Sequence, residues 1–254
     1  MTIAILSALP EEQGSLVQAL HAPECTTHAG RQFWRGRLHG HAVVLALSGI
    51  GKVAAATTAT LLAERFGARQ LVFTGVAGGL GAGVQVGDVV VARSYLQHDM
   101  DASPIFPRWE LPGYGTAVMA CDARLSAALQ DAAQAYLAQP GAGYVPAAAP
   151  GVAHRHAARA HAGLVVSGDR FVSTSAESDA LCSALTGAGH AVLAVEMEGA
   201  AVAQVCRDYG LPFAAVRTIS DRADDSAHVD FSHFVREVAR PYADHIVQGL
   251  LERL

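Results

Sequence analysis

"HAVLAVEMEGAAVAQVCRDYGLPFAAVRTISD", residues 190–221, sets the fold class. Its two ends are apolar and rich in β-branched residues and read as strands, while the alanine-rich 199–210 between them reads as a helix. Two carboxylates, Glu196 and Glu198, interrupt the run. A carboxylate is almost never buried without a partner, because losing its hydration costs several kcal/mol or forces it to neutralise. Either the run is less buried than it looks, or something binds these groups.

The same rhythm extends through most of the chain, the pattern of an α/β domain. "TIAILSAL" is a continuously apolar strand followed by a helix opening at Pro10. "RQFWRGRLHGHAVVLALS" reads as two strands turning at His39 and Gly40. "GKVAAATTATLLAERFG" reads as a helix ending at Gly67, and "RQLVFTG" and "VGDVVVA" as strands joined by the glycine-rich "GVAGGLGAG". A helix is expected over 122–138 and an exposed excursion at 139–162, where Pro, Gly and Ala break the rhythm. Then follow the strand "GLVVSGD", a helix after Ser175, the opening unit, and a C-terminal helix interrupted near Pro241. A single domain over 1–254 accommodates this.

Of the 254 residues, 51% are hydrophobic and 16% charged, as in an ordinary water-soluble domain. The net charge of −5, with no basic block, argues against nucleic acid and against an acidic membrane surface. Cys25, Cys121, Cys182 and Cys206 lack the paired spacings of zinc or redox sites and read as small apolar residues in a reducing cytoplasm. The opening "MTIAILSALPEEQ" has no basic stretch before its apolar run, so no secretory leader is expected. His154, His156 and His161 have no carboxylate or cysteine among them and read as a solvated loop, so no metal is expected.

"SGIGKV", residues 48–53, is too short for a nucleoside-triphosphate loop, and "GVAGGLGAG" fails the dinucleotide register. Each fits a tight turn as well as it fits a close approach of backbone to a small ligand. Phe171, in "SGDRFVS", suits core packing or stacking on a flat heterocycle. Asp221 ends a strand, where open α/β sheets place ligand crevices, although a lone aspartate there is more often a turn or helix cap. Glu11 and Glu12 follow another strand end, and Glu196 and Glu198 a third. Three acidic junctions suit cleavage at an anomeric carbon, which needs one carboxylic acid for the leaving group, one carboxylate for water and anionic support for a cationic sugar.

"ALPEEQGSLV", "SGIGKVAAA", "TGVAGGL" with "VGDVVV", "QHDMD", "VSGDRFV", "VEMEGAAVAQVC" and "VRTISDRAD" occur in the order found in bacterial 5'-methylthioadenosine/S-adenosylhomocysteine nucleosidases. The chain resembles this family, part of the purine nucleoside and uridine phosphorylase superfamily, everywhere except around residues 139–162. The resemblance implies a three-layer α/β/α fold with a central twisted mixed β-sheet flanked by helices. It also implies hydrolysis of 5'-thioadenosines without cofactor, in a cytoplasmic homodimer serving methionine salvage.

By position, the resemblance implies that Glu12 activates water, Glu198 holds the ribose hydroxyls and Met197 lies against the sugar. Asp221, with Ser220 beside it, would protonate N7 of the departing adenine. Phe171 would stack on the base, the Val172 backbone would read its edge, and Ile50, Val76, Ala77 and Gly78 would complete the pocket. Glu196 stays open between the rim of the ribose site and a structural role. Ala102, Ile105, Phe106 and Pro112 would enter the partner subunit's alkylthio pocket. The acids of "PEEQ" disfavour the phosphate of a phosphorylase. Phosphorolysis, an aminofutalosine substrate and a non-catalytic nucleoside-binding protein are the other readings. Val76 departs from the serine common in the family.

Overall fold

The computed structural model describes residues 1–140, 142, 144–145, 156–224, 234 and 238–254. In chain order the elements are β1 (Thr2–Ser7), α1 (Pro10–Gln13), β2 (His21–His28), β3 (Arg31–Leu38), β4 (His41–Leu47) and α2 (Lys52–Glu64). Next come β5 (Ala68–Gly79), β6 (Val89–Gln97), β7 (Val118–Ala120), α3 (Ala123–Leu137), β8 (Tyr144–Val145) and β9 (His156–Ala157). The chain continues with β10 (Ala160–Ser167), α4 (Ser175–Gly187), β11 (Val192–Glu196), α5 (Gly199–Asp208), β12 (Phe213–Asp221) and α6 (Arg240–Leu251).

One mixed sheet runs in the order β11-β10-β6-β12-β5-β1-β4-β3-β2, with β7 beside β6. Alternation along the strands feeds a core on each face. Ala4 and Leu6 of β1 and Phe213 and Ala215 of β12 pack towards Ala55, Ala59 and Leu62 of α2 and Val202 of α5. Ile3 and Ile5, with Ala214 and Val216, point the other way, to Leu125 and Leu129 of α3 and Ile246 and Leu250 of α6. This is the expected three-layer arrangement. No helix among the described residues is long and apolar enough to cross a membrane.

The sheet also folds back on itself. Ala194 and Val195 of β11 pair antiparallel with Gly79 and Gly78 of β5, so β11, β10, β6, β12 and β5 form a closed ring of strands. Here the expected glycine-rich connection is corrected: "GVAGG" is the last part of β5, and its glycines let a second strand and several side chains come close. Gly199 serves the same purpose on α5, since a Cβ there would lie 2.3 Å from the ring of Tyr95 on β6.

Other boundaries differ from expectation. β2 escapes periodicity because nearly all of it is exposed at the sheet edge. Its turn to β3, Ala29-Gly30, and the turn from β3 to β4, His39-Gly40, both have positive φ at the two central residues (49° and 74°, 46° and 82°), the type I′ geometry that continues the strand twist. The excursion expected at 139–162 ends earlier, because Ala160–Ala162 already pair with Val89–Val91 of β6. His161 Nε2 lies 2.8 Å from the buried Asp88 carboxylate, so it is not a loop histidine, while His154 lies outside the described residues. Pro241 stands in the first turn of α6, directly after the π-helical Val238 and Ala239, so the helical geometry changes where an interruption was expected.

Candidate active site

The three acidic junctions converge because of two registers. In the parallel pair of β12 and β5, Asp221 stands beside Gly78, and in the antiparallel pair of β11 and β5, Val195 stands beside the same glycine. A Cβ at Gly78 would lie 2.9 Å from Asp221 Oδ1. A Cβ at Gly75 would lie 2.8 Å from Glu12 Oε1 and 3.2 Å from Arg217 Nη1, so a larger residue at either position would displace a carboxylate. One cavity results, lined by Glu12, Glu196, Met197, Glu198, Ser220 and Asp221 together with Ile50, Val76, Ala77, Gly78, Phe171 and Val172. Every residue expected on this chain's side of the pocket is among its walls.

Glu12 is held by backbone. Its Oε2 accepts the amides of Ala8 and Leu9, each at 2.8 Å, and its Oε1 accepts the Val76 amide at 3.0 Å. The missing serine hydroxyl at position 76 therefore leaves the main-chain contact in place. Burial raises the Glu12 carboxyl above its ordinary value, against the pull of Arg217 and these three amides.

Asp221 is buried, accepts from Ser220 Oγ at 2.7 Å and from the Ala223 amide at 2.8 Å, and has its proton affinity raised by burial. Burial thus favours its protonated form relative to an exposed aspartate. Glu198 Oε1 accepts the Gly51 amide at 2.9 Å, and the neighbouring Lys52 amide goes to Asp169 Oδ1 at 2.7 Å. The opening of α2 in "SGIGKV" therefore binds the protein's own carboxylates.

Burial first, then the nearby Glu196 charge, pushes the Glu198 carboxyl from 4.5 up to about 8. Between those values the folded chain keeps a proton that the unfolded chain has lost, so this group's contribution to stability falls as pH rises through the window. Glu198→Gln, which cannot ionise, is expected to melt a few degrees above the wild type at about pH 8.5 and level with it at about pH 4. Ligand-free thermal melts at the two pH values check this; an equal shift at both would count against it.

Glu196 lines the cavity and is also tied into the surrounding frame. Its carboxylate receives Arg217 Nη2 at 2.6 Å, the Ser167 hydroxyl, and the amides of Glu198 at 3.2 Å and Gly199 at 3.0 Å. With so many donors it ties the start of α5 to β10 and β12. Sequence reasoning missed Arg217, which is 1% exposed on the strand "PFAAVRTIS" and stacks 4.0 Å over the Phe73 ring. The signal was a lone arginine in an apolar strand near paired glutamates. Arg170, missed as well, lines the cavity and pairs with Glu177.

Phe171 is 47% exposed at the cavity, so its ring is not core. Ala102, Ile105, Phe106 and Pro112 are not among this cavity's walls, and Ile105 is 81% exposed. Among the described residues no group of histidines, cysteines and carboxylates is arranged for a metal ion.

Comparison with known proteins gives concordant results. The phosphorylase superfamily model matches residues 2–252. The 5'-methylthioadenosine/S-adenosylhomocysteine nucleosidase of Shewanella pealeana is 33% identical over 254 residues, covering 100% of both chains. The crystal structure of the Neisseria meningitidis enzyme of that name, in complex with methylthio-immucillin-A, superposes with a TM-score of 0.84 at 33% identity, covering 100% of this chain and 99% of that one. The futalosine hydrolase of Helicobacter pylori superposes with the same TM-score at 28% identity, covering 100% of this chain and 98% of that one.

Proposed function

Since the chain belongs to the phosphorylase superfamily, and within it to the 5'-methylthioadenosine/S-adenosylhomocysteine nucleosidases, we propose that it hydrolyses the N-glycosidic bond of 5'-thioadenosines to adenine and the thioribose. One observation carries the reading: Glu12, Glu198 and Asp221, from three separate junctions, line a single cavity in three different settings.

In this reading adenine lies between Phe171 and Asp221, and the ribose hydroxyls bind Glu198. Asp221 gives its proton to N7 as the C1'–N9 bond breaks, so the base leaves neutral. The electron-poor sugar is supported by the anionic form of Glu198 and lies against Met197, which is polarisable without being a competing nucleophile. Glu12 takes a proton from the water whose oxygen bonds to C1'. Its raised proton affinity favours that transfer, and three backbone amides fix its direction.

Water is favoured over phosphate by the same contacts. The amides of Ala8, Leu9 and Val76, which could hold an anion, are occupied by Glu12, and the one arginine among the described residues of the cavity wall pairs with Glu177. A second anion would meet carboxylates on most sides. We further propose a homodimer in which Ala102, Ile105, Phe106 and Pro112 complete the partner's alkylthio pocket, and a cytoplasmic role in methionine salvage.

The test is release of adenine from methylthioadenosine by the purified protein in phosphate-free buffer. Turnover without phosphate is expected. No adenine, or adenine only after phosphate is added, would refute the hydrolase. Aminofutalosine and inosine belong in the same panel, because a futalosine hydrolase shares the fold.

A further inference from the structure

Beside the cavity lies a groove of about 770 Å³ that the proposed reaction does not use. Gln13, Arg31, Trp34, Ser48 and Gly49 are among its walls. The two spaces abut, since Glu12 and Ile50 line the cavity while their chain neighbours Gln13 and Gly49 line the groove. Consecutive Cα atoms are about 3.8 Å apart, so the partition is about one residue thick.

Strand order gives the direction from one space to the other. Asp221 ends β12, Ala8 follows β1, Ser48 follows β4 and Arg31 opens β3, and these strands lie on one side of the sheet order, β12-β5-β1-β4-β3. A nucleoside with its base at Asp221 therefore has Leu9 and Ile50 beyond its sugar, and the groove beyond those. From β1 to β3 is two strand spacings, about 10 Å. A four-carbon chain on sulfur and an arginine side chain together bridge that gap.

The charges of the two spaces are opposite. Among the described residues, the cavity walls carry four carboxylates, whereas no acidic residue lines the groove and Arg31 is its one cation. Arg31 Nη1 donates to the Ala29 carbonyl at 3.1 Å, which fixes the guanidinium in the β2–β3 turn. Its Nε is buried and has no acceptor among the described residues, so the outer edge of the guanidinium, Nη1 and Nη2, is the part that a carboxylate can meet. Trp34 adds an aromatic wall, which suits an ammonium group.

We infer that this groove is a subsite for a zwitterionic amino-acid tail on the substrate's 5' sulfur, with the tail carboxylate on the outer edge of the Arg31 guanidinium. The inference rests on the hydrolase reading above and adds the means by which S-adenosylhomocysteine is recognised apart from methylthioadenosine, whose methyl group ends short of the groove.

The test compares kcat/KM for S-adenosylhomocysteine and methylthioadenosine in the wild type and in Arg31→Ala, Arg31→Lys and Arg31→Glu. The ratio of the two is expected to fall about tenfold in Arg31→Ala, through KM for S-adenosylhomocysteine, the loss of one charge-assisted contact. It should fall further in Arg31→Glu and less in Arg31→Lys. A ratio unchanged in all three variants, or equal losses on both substrates, overturns the subsite while leaving the hydrolase standing. A wild type that cleaves neither substrate overturns both.

Discussion

Asp221→Asn is expected to lower kcat for methylthioadenosine about 10³-fold while changing KM only a few-fold. The substitution is nearly isosteric. Its carbonyl oxygen can still accept the Ala223 amide that Asp221 Oδ1 accepts at 2.8 Å, and the rest of the cavity is untouched. What it lacks is a proton to give, so adenine would have to leave as an anion. The loss should therefore depend on the leaving group: a thioriboside whose aglycone departs as a stable anion should lose tenfold or less. The pH profile carries the same signature with a defined sign. Asp221 acts when protonated, so its contribution is present below its raised pKa and lost as pH climbs through it. The wild type should lose kcat/KM on the alkaline side, and the residual activity of Asp221→Asn should lack that limb. Near-normal rates in the variant, or an unchanged alkaline limb, would remove Asp221 from the role of acid.

The largest effect on stability is expected at Arg217. Its guanidinium is 1% exposed, sits on Glu196 at 2.6 Å and lies over Phe73. Arg217→Leu fills much of the same volume but strands the Glu196 carboxylate without its cation, a change worth about 3–5 kcal/mol. In a chain of this size that corresponds to a fall of roughly 10 °C in Tm. Arg217→Leu combined with Glu196→Gln should recover a substantial part, because the amide keeps an acceptor for the start of α5 without a buried charge. Thermal melts of the wild type, the single variant and the pair decide the matter. A single variant that melts with the wild type, or a pair that recovers nothing, would refute the ion pair as the reason for Arg217. Activity of the pair then shows what Arg217 does beyond stability, since its charge also pulls on Glu12 and Glu198.

The balance of charges explains why both effects are large. Among the described residues, four carboxylates line the cavity, and one fully buried arginine stands behind them. Burial raises the proton affinities of Glu12, Glu198 and Asp221, and the Arg217 charge, paired with Glu196, offsets this only in part at Glu12 and Glu198. Two of these acids then have distinct uses in the proposed reaction. Glu12 must lose its proton to accept one from water, whereas Asp221 must keep its proton until the base departs. The amides around Glu12 outnumber the single amide on Asp221, in line with that division.

Much of this was legible from the order of residues. Strands buried on both faces read as continuous apolar runs, and helices as alanine-rich stretches, so α/β alternation and the acidic strand ends could be identified without coordinates. The ordered motifs also named Glu12, Met197, Glu198 and Asp221. What failed had physical causes. β2 has no buried face to impose a period, and "GVAGG" carries the glycines of a loop although it pairs as a strand. An arginine in an apolar strand looks like a surface residue unless its partner is known, and Glu196 lies 21 positions earlier in the chain.

The sequence by itself determined the layers, the junctions and the types of chemical group available, because local periodicity and side-chain chemistry are written residue by residue. Only the tertiary structure decided which of those groups meet. Pairing of β11 and β12 on either side of Gly78 brings 198 and 221 to one cavity. Burial in that cavity then raises the proton affinities of Glu198 and Asp221, and the ion pair with Arg217 ties Glu196 into the frame. Register and desolvation depend on the whole sheet, and no short stretch of chain contains them.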